Sequence, residues 1–317
     1  MQKLALAAAL TLALAACSKP AEQAAAPTPA ATPAATPAAT PAPVVDPAAT
    51  FAAKFDSVLA GAQRSDANKA RDAWRHPKET LQFFEIKPEH TVIEITPGGG
   101  WYTEILGPLL GATGKPVVAL IDPASAASDR AKEYYTKSNE EFRAKLAADA
   151  ASFGGVEARV FSMSAPVFGD PGSADMVVTF RNVHNWTGAG AAPGIFKAFF
   201  EVLKDGGTLG VVEHRAAAGT KSAEDPRSGY LLEDDVIKLA TDAGFVLAAK
   251  SEVNANPADT KDHANGVWTL PPNLNVPEGE DKAKYEAIGE SDRMTLRFVK
   301  QAAAAPTPAP AEAPKAG

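Results

Sequence analysis

A doubly wound α/β domain built on a largely parallel sheet is what this sequence predicts, and three observations carry that expectation. Short apolar runs alternate with longer helix-patterned stretches from about residue 91 to residue 253. The run Thr91-Val92-Ile93-Glu94-Ile95 passes through Thr96-Pro97 into Gly98-Gly99-Gly100, and the next run, 117–121, stops at Asp122. The segment 51–300, set between two Ala/Pro-rich tails, has the length of one sizeable domain.

The elements follow in order. After an Ala-rich helical lead-in, short helical pieces are expected at 65–66 and 79–85, ahead of the first strand. The second helix falls within 124–150, where Ala, Lys and Glu dominate and no proline interrupts. Strands three, four and five are expected at 156–161, 175–180 and 208–213. Between the last two, Ile195, Phe196, Phe199, Phe200 and Leu203 recur at helical spacing before Asp205-Gly206-Gly207, so these aromatics read as core. A helix at 231–243, a sixth strand at 245–253 and a seventh at 294–299 complete the domain. Such alternation implies parallel pairing with right-handed crossovers.

The first strand and its glycines suggest a cradle for a nucleoside cofactor. A parallel strand delivers its last residues to the carboxyl edge of the sheet, where glycines let the backbone approach a ligand closely. Asp122, about 20 residues beyond the glycines, is placed to accept both hydroxyls of a ribose. A dinucleotide fingerprint read from Gly98 needs glycine at 103, where Thr103 stands, and no Gly-Lys-Ser/Thr phosphate loop is present. Glu94 would repel a phosphate but suits a cationic amino or sulfonium group, which points to S-adenosylmethionine rather than NAD or ATP.

The Glu94 strand with its glycine loop, Asp122, Ala174-Asp175-Met176-Val177-Val178-Thr179-Phe180, and Val202-Leu203-Lys204-Asp205-Gly206-Gly207-Thr208-Leu209 occur in the order in which class I S-adenosylmethionine-dependent methyltransferases place their motifs. The chain resembles that family over roughly residues 65–300, and RNVHNW, DPRSGYLLEDDV and GVWTLPP look like a bacterial subgroup of it. The resemblance implies a Rossmann-like seven-stranded sheet, mostly parallel with an antiparallel last strand. It also implies methyl transfer to a small acceptor, with S-adenosylmethionine held by Glu94, Pro97, Gly98, Gly99, Gly100, Asp122 and Arg181. This sequence departs from the family at Thr96, where the first loop glycine stands, and at Ser162-Met163-Ser164, where an Asp commonly contacts adenine. Gly98 and Gly100 keep the two loop positions expected nearest the ligand.

Residues after the fourth strand, Arg181 to Trp186, are expected to face the reacting group. His184 is the candidate base, with Asn182 or Asn185 orienting the acceptor; the plainer reading is that His184 hydrogen-bonds its own loop. His214 is the alternative base. Glu213 could orient it, although neighbouring strand residues point to opposite faces. Asp225, Arg227 and Tyr230 suit either a lid or a turn with a surface ion pair. The stretch 254–277, with His263 and Trp268, suits either an acceptor-side lid or a packed hairpin. The lone cysteine and five scattered histidines form no zinc-binding pattern, so no metal is expected, and a net charge of −7 argues against nucleic acid. The sequence does not set an oligomeric state.

Residues 1–16 form an apolar segment too short to span a bilayer comfortably and read as a signal peptide. Leu14-Ala15-Ala16-Cys17 resembles a bacterial lipobox, with Cys17 the lipidated residue. Residues 17–50 then form an Ala/Pro-rich tether and 301–317 a similar disordered tail. Ser18, in place of an Asp, favours the outer membrane, with the domain facing the periplasm. The alternative reading is a non-catalytic envelope lipoprotein that binds a nucleoside-like or other small ligand. Replacing Cys17 with Ala is expected to release the protein from membranes on fractionation. Retention of that variant in the envelope, with no acyl mass on native Cys17, would contradict the anchor.

Overall fold

Thr91–Ile95 forms β1, and the alternation of its side chains sets the layers of the domain. Val92 packs against one side of the sheet while Ile93 and Ile95 pack against the other. The computed structural model describes residues 47–111, 113–220 and 227–302; the expected signal peptide and lipidated Cys17, nearly all of the C-terminal tail, and Asp225 lie outside the described residues.

Seven strands form one sheet: β1, β2 (Lys115–Ile121), β3 (Glu157–Phe161), β4 (Ala174–Phe180), β5 (Leu203–His214), β6 (Val246–Ser251) and β7 (Arg293–Val299). Their order is β3-β2-β1-β4-β5-β7-β6, with β7 antiparallel to both neighbours and the other pairs parallel. Both features implied by the resemblance are therefore present, the seven-stranded sheet and the antiparallel last strand. Because β1 lies between β2 and β4, the chain direction across the sheet reverses at the β1–β4 boundary, where a crevice opens at the strands' carboxyl ends.

On the Val92 side lie α1 (Pro47–Ala60), the short α2 (Asp66–Lys69) and α3 (Asp72–Arg75), α4 (Pro77–Phe83) and α5 (Thr103–Leu110). Phe55, Leu81, Ile105 and Leu109 join Met176, Val178 and Val212 in the core of that layer. At the outer end of the sheet, α6 (Asp129–Ala148), with α7 (Ala150–Phe153) following it, sets Phe142 against Val118 and Leu120 of β2. On the Ile93 side, α8 (Val183–Gly188), α9 (Ala192–Val202) and α10 (Glu233–Asp242) bury Trp186, Ile195, Phe196, Phe199 and Val236 against Val177, Leu209 and Val211. Each such large side chain contributes about 1.5–3 kcal/mol by leaving water. The last helix, α11 (Lys282–Ile288), leads into β7.

Some boundaries differ from the sequence-based expectation. β5 begins at Leu203 rather than 208, because Gly206 and Gly207 exchange backbone hydrogen bonds with Lys300 and lengthen the edge facing β7. The long helix, Asp129–Ala148, lies within the expected 124–150; Ser128 caps it, and Asp122 caps a separate turn at Pro123–Ser125. The helix expected at 231–243 begins at Glu233, after Leu231 has bridged to Arg215.

Candidate functional site

Two adjacent strands end at the crevice in the same unusual way. The residues directly after β1 and β4, Thr96 and Arg181, both have left-handed backbones, with φ of 51° and 62°. For a β-branched residue that conformation costs on the order of 1–3 kcal/mol and is held only where surroundings enforce it. Here Thr96 N–H donates to Ala119 O at 2.8 Å and Arg181 N–H to Val212 O at 2.7 Å. Asn182 ties the two ends together: its Nδ2 donates to Ile95 O at 3.1 Å and lies 3.3 Å from Thr96 O.

Beyond these ends opens a cavity of about 440 Å³, whose wall includes Thr96, Pro97, Gly98, Gly99, Arg181, Asn182, His184 and His214. Gly98 (φ 58°) and Gly99 have open space where a Cβ would stand, so the loop can take a ligand against bare backbone. The back of the loop is fixed by Lys145, which donates to Gly99 O at 2.7 Å and Glu104 Oε1 at 2.6 Å. Gly100 corrects the sequence reading, which set it beside the ligand. A Cβ there would lie 2.9 Å from the Phe142 ring, so this glycine (φ 81°) serves the packing of the loop on α6.

Glu94 also lies behind the cavity rather than on its wall. Alternation along β1 turns it away from Ile93 and Ile95 towards α5, where it is buried and accepts from Thr103 Oγ1 at 2.6 Å. Asp122 stands at the end of β2, half-buried, with Oδ1 accepting from Ala124 N–H at 2.9 Å. Near it a second, more apolar depression of about 500 Å³ is lined by Ile121, Ser125, Tyr135, Met163, Ser164 and Gly190. The Ser162-Met163-Ser164 stretch, which lacks the family's usual acid, thus takes part in a formed depression.

Glu213 orients His184, not His214. The backbone of α8 carries His184 across to the end of β5, where its Nδ1 lies 3.0 Å from Glu213 Oε1. Glu213 is wholly buried and is held by Val183 N–H at 2.6 Å, His184 N–H at 3.3 Å and His214 N–H at 2.8 Å. A carboxylate so placed keeps the proton on Nδ1 and leaves Nε2 as the basic atom. His214 Nδ1 lies 2.5 Å from Ser291 Oγ, and the two imidazole rings are 5.3 Å apart. Burial holds His214 well below the ordinary imidazole range, and His184, Arg181, Arg293 and Arg75 push the same way. Ligand atoms of His184, Glu213 and His214 lie within 4.8 Å of one another, as a metal site would require. Glu213 also accepts three backbone N–H groups, from Val183 and His184 at Oε2 and from His214 at Oε1.

Apart from Arg181, the cationic part of the wall is not anticipated by the sequence. The short α3 and the residue before it bring Arg75 and Arg71 to the cavity, where both meet Glu290 from beyond α11. Arg71 Nε lies 2.6 Å and Arg75 Nε 3.0 Å from that carboxylate, with Arg293 at 3.2 Å and Arg181 at 3.8 Å. Burial alone would raise the Glu290 pKa, but Arg75, Arg293, Arg181 and Arg71 outweigh it and hold it at about 2. Burial lowers Arg181 to about 10, with Glu290 opposing and Arg293 and Arg71 adding to the drop. Arg71 and Arg75 stand four apart, the one sequence signal that they share a face. Glu290, more than 200 positions away, could not have been joined to them.

Of the expected lid elements, Trp268 lines the cavity together with Pro271 and Pro272, and its ring meets the His184 ring edge-on at 5.6 Å. His263 and Tyr230 do not line it. Both instead bond the buried Asp259, at 2.9 Å each. Asn185 is on the wall, while the Asn182 amide is engaged in the strand clip.

No family model matches the chain, and no curated protein matches it. Among solved structures, it is similar to the [4+2]-cyclase SpnF, with a TM-score of 0.50, 13% identity and coverage of 77% of this chain and 86% of that one. It is also similar to a SAM-dependent methyltransferase from Aquifex aeolicus, with a TM-score of 0.45, 17% identity and coverage of 66% and 94%. A third, a SAM-dependent methyltransferase from Methanosarcina mazei, gives a TM-score of 0.44, 16% identity and coverage of 70% and 97%. At these identities the likeness is one of fold.

The burial of Glu94 has a measurable consequence. Desolvation raises its pKa from 4.5 to about 7, against the opposing effects of the Thr103 hydrogen bond and Lys145. The folded chain therefore holds this proton more tightly than the unfolded chain, and stability falls as pH rises from about 4.5 to about 7. Glu94→Gln is expected to remove that slope, gaining on the parent protein by up to roughly 3 kcal/mol at pH 8 relative to pH 4. Thermal unfolding across that range checks it, and parallel pH profiles for the two proteins would contradict it.

Proposed function

We propose that this chain is an S-adenosylmethionine-dependent methyltransferase acting on a small acceptor. The observation that carries this reading is the cavity at the β1–β4 switch point, where bare Gly98 and Gly99 backbone faces an imidazole backed by a buried carboxylate. The residues present suit the methyl donor. Gly98 and Gly99 give close backbone approach, the buried Thr96 Oγ1 has no partner among the described residues, and Asp122 ends the neighbouring strand. Asp122 would accept the ribose hydroxyls, and Tyr135, Met163 and Ser164 would hold the base in the apolar depression.

S-Adenosylmethionine, when bound, supplies a methyl group already activated for displacement. The chain's own task is then to hold the acceptor in line and to remove its proton. Glu213 keeps the proton of His184 on Nδ1, so Nε2 is the atom that receives the acceptor's proton, and the developing imidazolium is stabilised by the same carboxylate. His214, held neutral and bonded to Ser291, stands beside it as a polar wall. Trp268, Pro271 and Pro272 cover the acceptor side and limit access of water. We further propose that Cys17 anchors the enzyme to the bacterial envelope through lipid, with the domain facing the periplasm.

Titration calorimetry with S-adenosylhomocysteine tests the reading without knowledge of the acceptor. Saturable binding is expected. Asp122→Ala should weaken it by roughly 10-fold to 150-fold, the range for a hydrogen bond to a charged group. His184→Gln should leave it within about 2-fold, because a general base contributes mainly in the transition state. Unchanged affinity in folded Asp122→Ala would reject the placement of the ribose, and absence of binding would reject the methyl-transfer reading.

A further inference from the structure

Arg75 is only 2% exposed, yet its Nη1 has no hydrogen-bond partner among the described residues, and neither has Nη2 of Arg71. Both side chains line the cavity. Buried guanidinium donors left unpaired are unfavourable, and native structures retain them chiefly where something else completes them. The local charge is unbalanced as well. Among the described residues, Arg71, Arg75, Arg181 and Arg293 meet one carboxylate, Glu290, and counting Glu213 behind His184 still leaves the cations in excess. Burial lowers the Arg75 pKa, Arg181 adds to the drop, and Glu290 only partly offsets it.

We propose that the Arg71–Arg75 end of the cavity is an anion subsite that takes a carboxylate or phosphate-type group carried by the acceptor. The identification of that ligand as an acceptor rests on the methyl-transfer reading; the anion chemistry does not. Two guanidinium groups, each with one unpaired nitrogen, suit the planar or tetrahedral oxygens of such groups. Trp101 stacks over Arg75 at 4.6 Å and donates its Nε1–H to Asn68 O at 3.1 Å, which holds the fork in place. The methyl donor has a carboxylate too. Its amino-acid head carries its own ammonium, however, so it brings no net charge to offset the excess. An anionic acceptor does, and Trp268 and Pro271 on the same wall suit its apolar body.

The test is a titration of the full chain with inorganic phosphate at constant ionic strength, followed by tryptophan fluorescence, since Trp101 and Trp268 lie on the wall. Saturable binding is expected, about tenfold or more weaker in Arg71→Gln and largely restored in Arg71→Lys. Lys238→Gln, at a site on α10 with a 72% exposed side chain, should match the parent protein. If Arg71→Gln does not fold, Arg181→Gln, also partly exposed, replaces it. Adding saturating S-adenosylhomocysteine should leave the phosphate affinity within about 3-fold. Absence of saturable binding, or equal affinity in the arginine variants, would overturn the subsite. Displacement of phosphate by S-adenosylhomocysteine would overturn its assignment to the acceptor and give it to the donor's carboxylate. Failure of S-adenosylhomocysteine to bind at all would count against the methyl-transfer reading alone, because phosphate binding is read separately.

Discussion

The ion pairing at Glu290 joins the parts of the chain on which the cavity depends. Its carboxylate, 3% exposed, meets Arg71 and Arg75 from the N-terminal helices, Arg181 from the end of β4, and Arg293 from the start of β7. Each guanidinium by itself would be costly to bury, and together they would repel one another. One shared carboxylate makes the arrangement tolerable without making it neutral. The N-terminal helical pieces are thereby fastened over the glycine loop, where Asn68 Nδ2 donates to Glu104 at 2.9 Å and Lys145 joins Glu104 to the loop carbonyl of Gly99.

This fastening divides the labour around the switch point. The loop from Thr96 to Gly99 and the end of β2 present backbone and a single carboxylate, as a nucleoside-bearing ligand would need. His184 and His214 reach the cavity from the start of α8 and the end of β5, and Arg71 and Arg75 from the helical pieces packed on the loop. The two left-handed residues, Thr96 and Arg181, mark where the halves meet, and Asn182 spans the junction. A threonine at that backbone conformation is a local conflict that a glycine would not have. Its buried hydroxyl has no partner among the described residues.

Much of the fold was legible because its signals are local. Apolar runs ending at Ile95, Ile121, Phe161 and Phe180 gave four of the five mutually parallel strands to within two residues, and the spacing of Ile195, Phe196 and Phe199 gave a buried helix face. The site was legible only where it follows a strand end: His184, Asn182, Arg181 and Gly98 all reach the cavity wall. What failed was direction. Glu94 and Gly100 lie in the right segment but face α5 and α6, since one position along a strand or turn reverses the side on which a group appears. Glu213 was set beside His214 by adjacency, whereas its partner is His184, 29 positions away. Of the arginine cluster only Arg181 was legible; Arg71 and Arg75 were beyond reach, because α3 is a single turn without a periodic pattern and Glu290 belongs to the other end of the chain.

A crystal structure of the chain with S-adenosylhomocysteine bound tests the central claim most directly. The ligand's sulfur is expected over the Gly98–Gly99 backbone on the side facing His184, its ribose against Asp122, and its base among Tyr135, Met163 and Ser164. A ligand seated elsewhere, or no density at the switch point at saturating concentration, would contradict it.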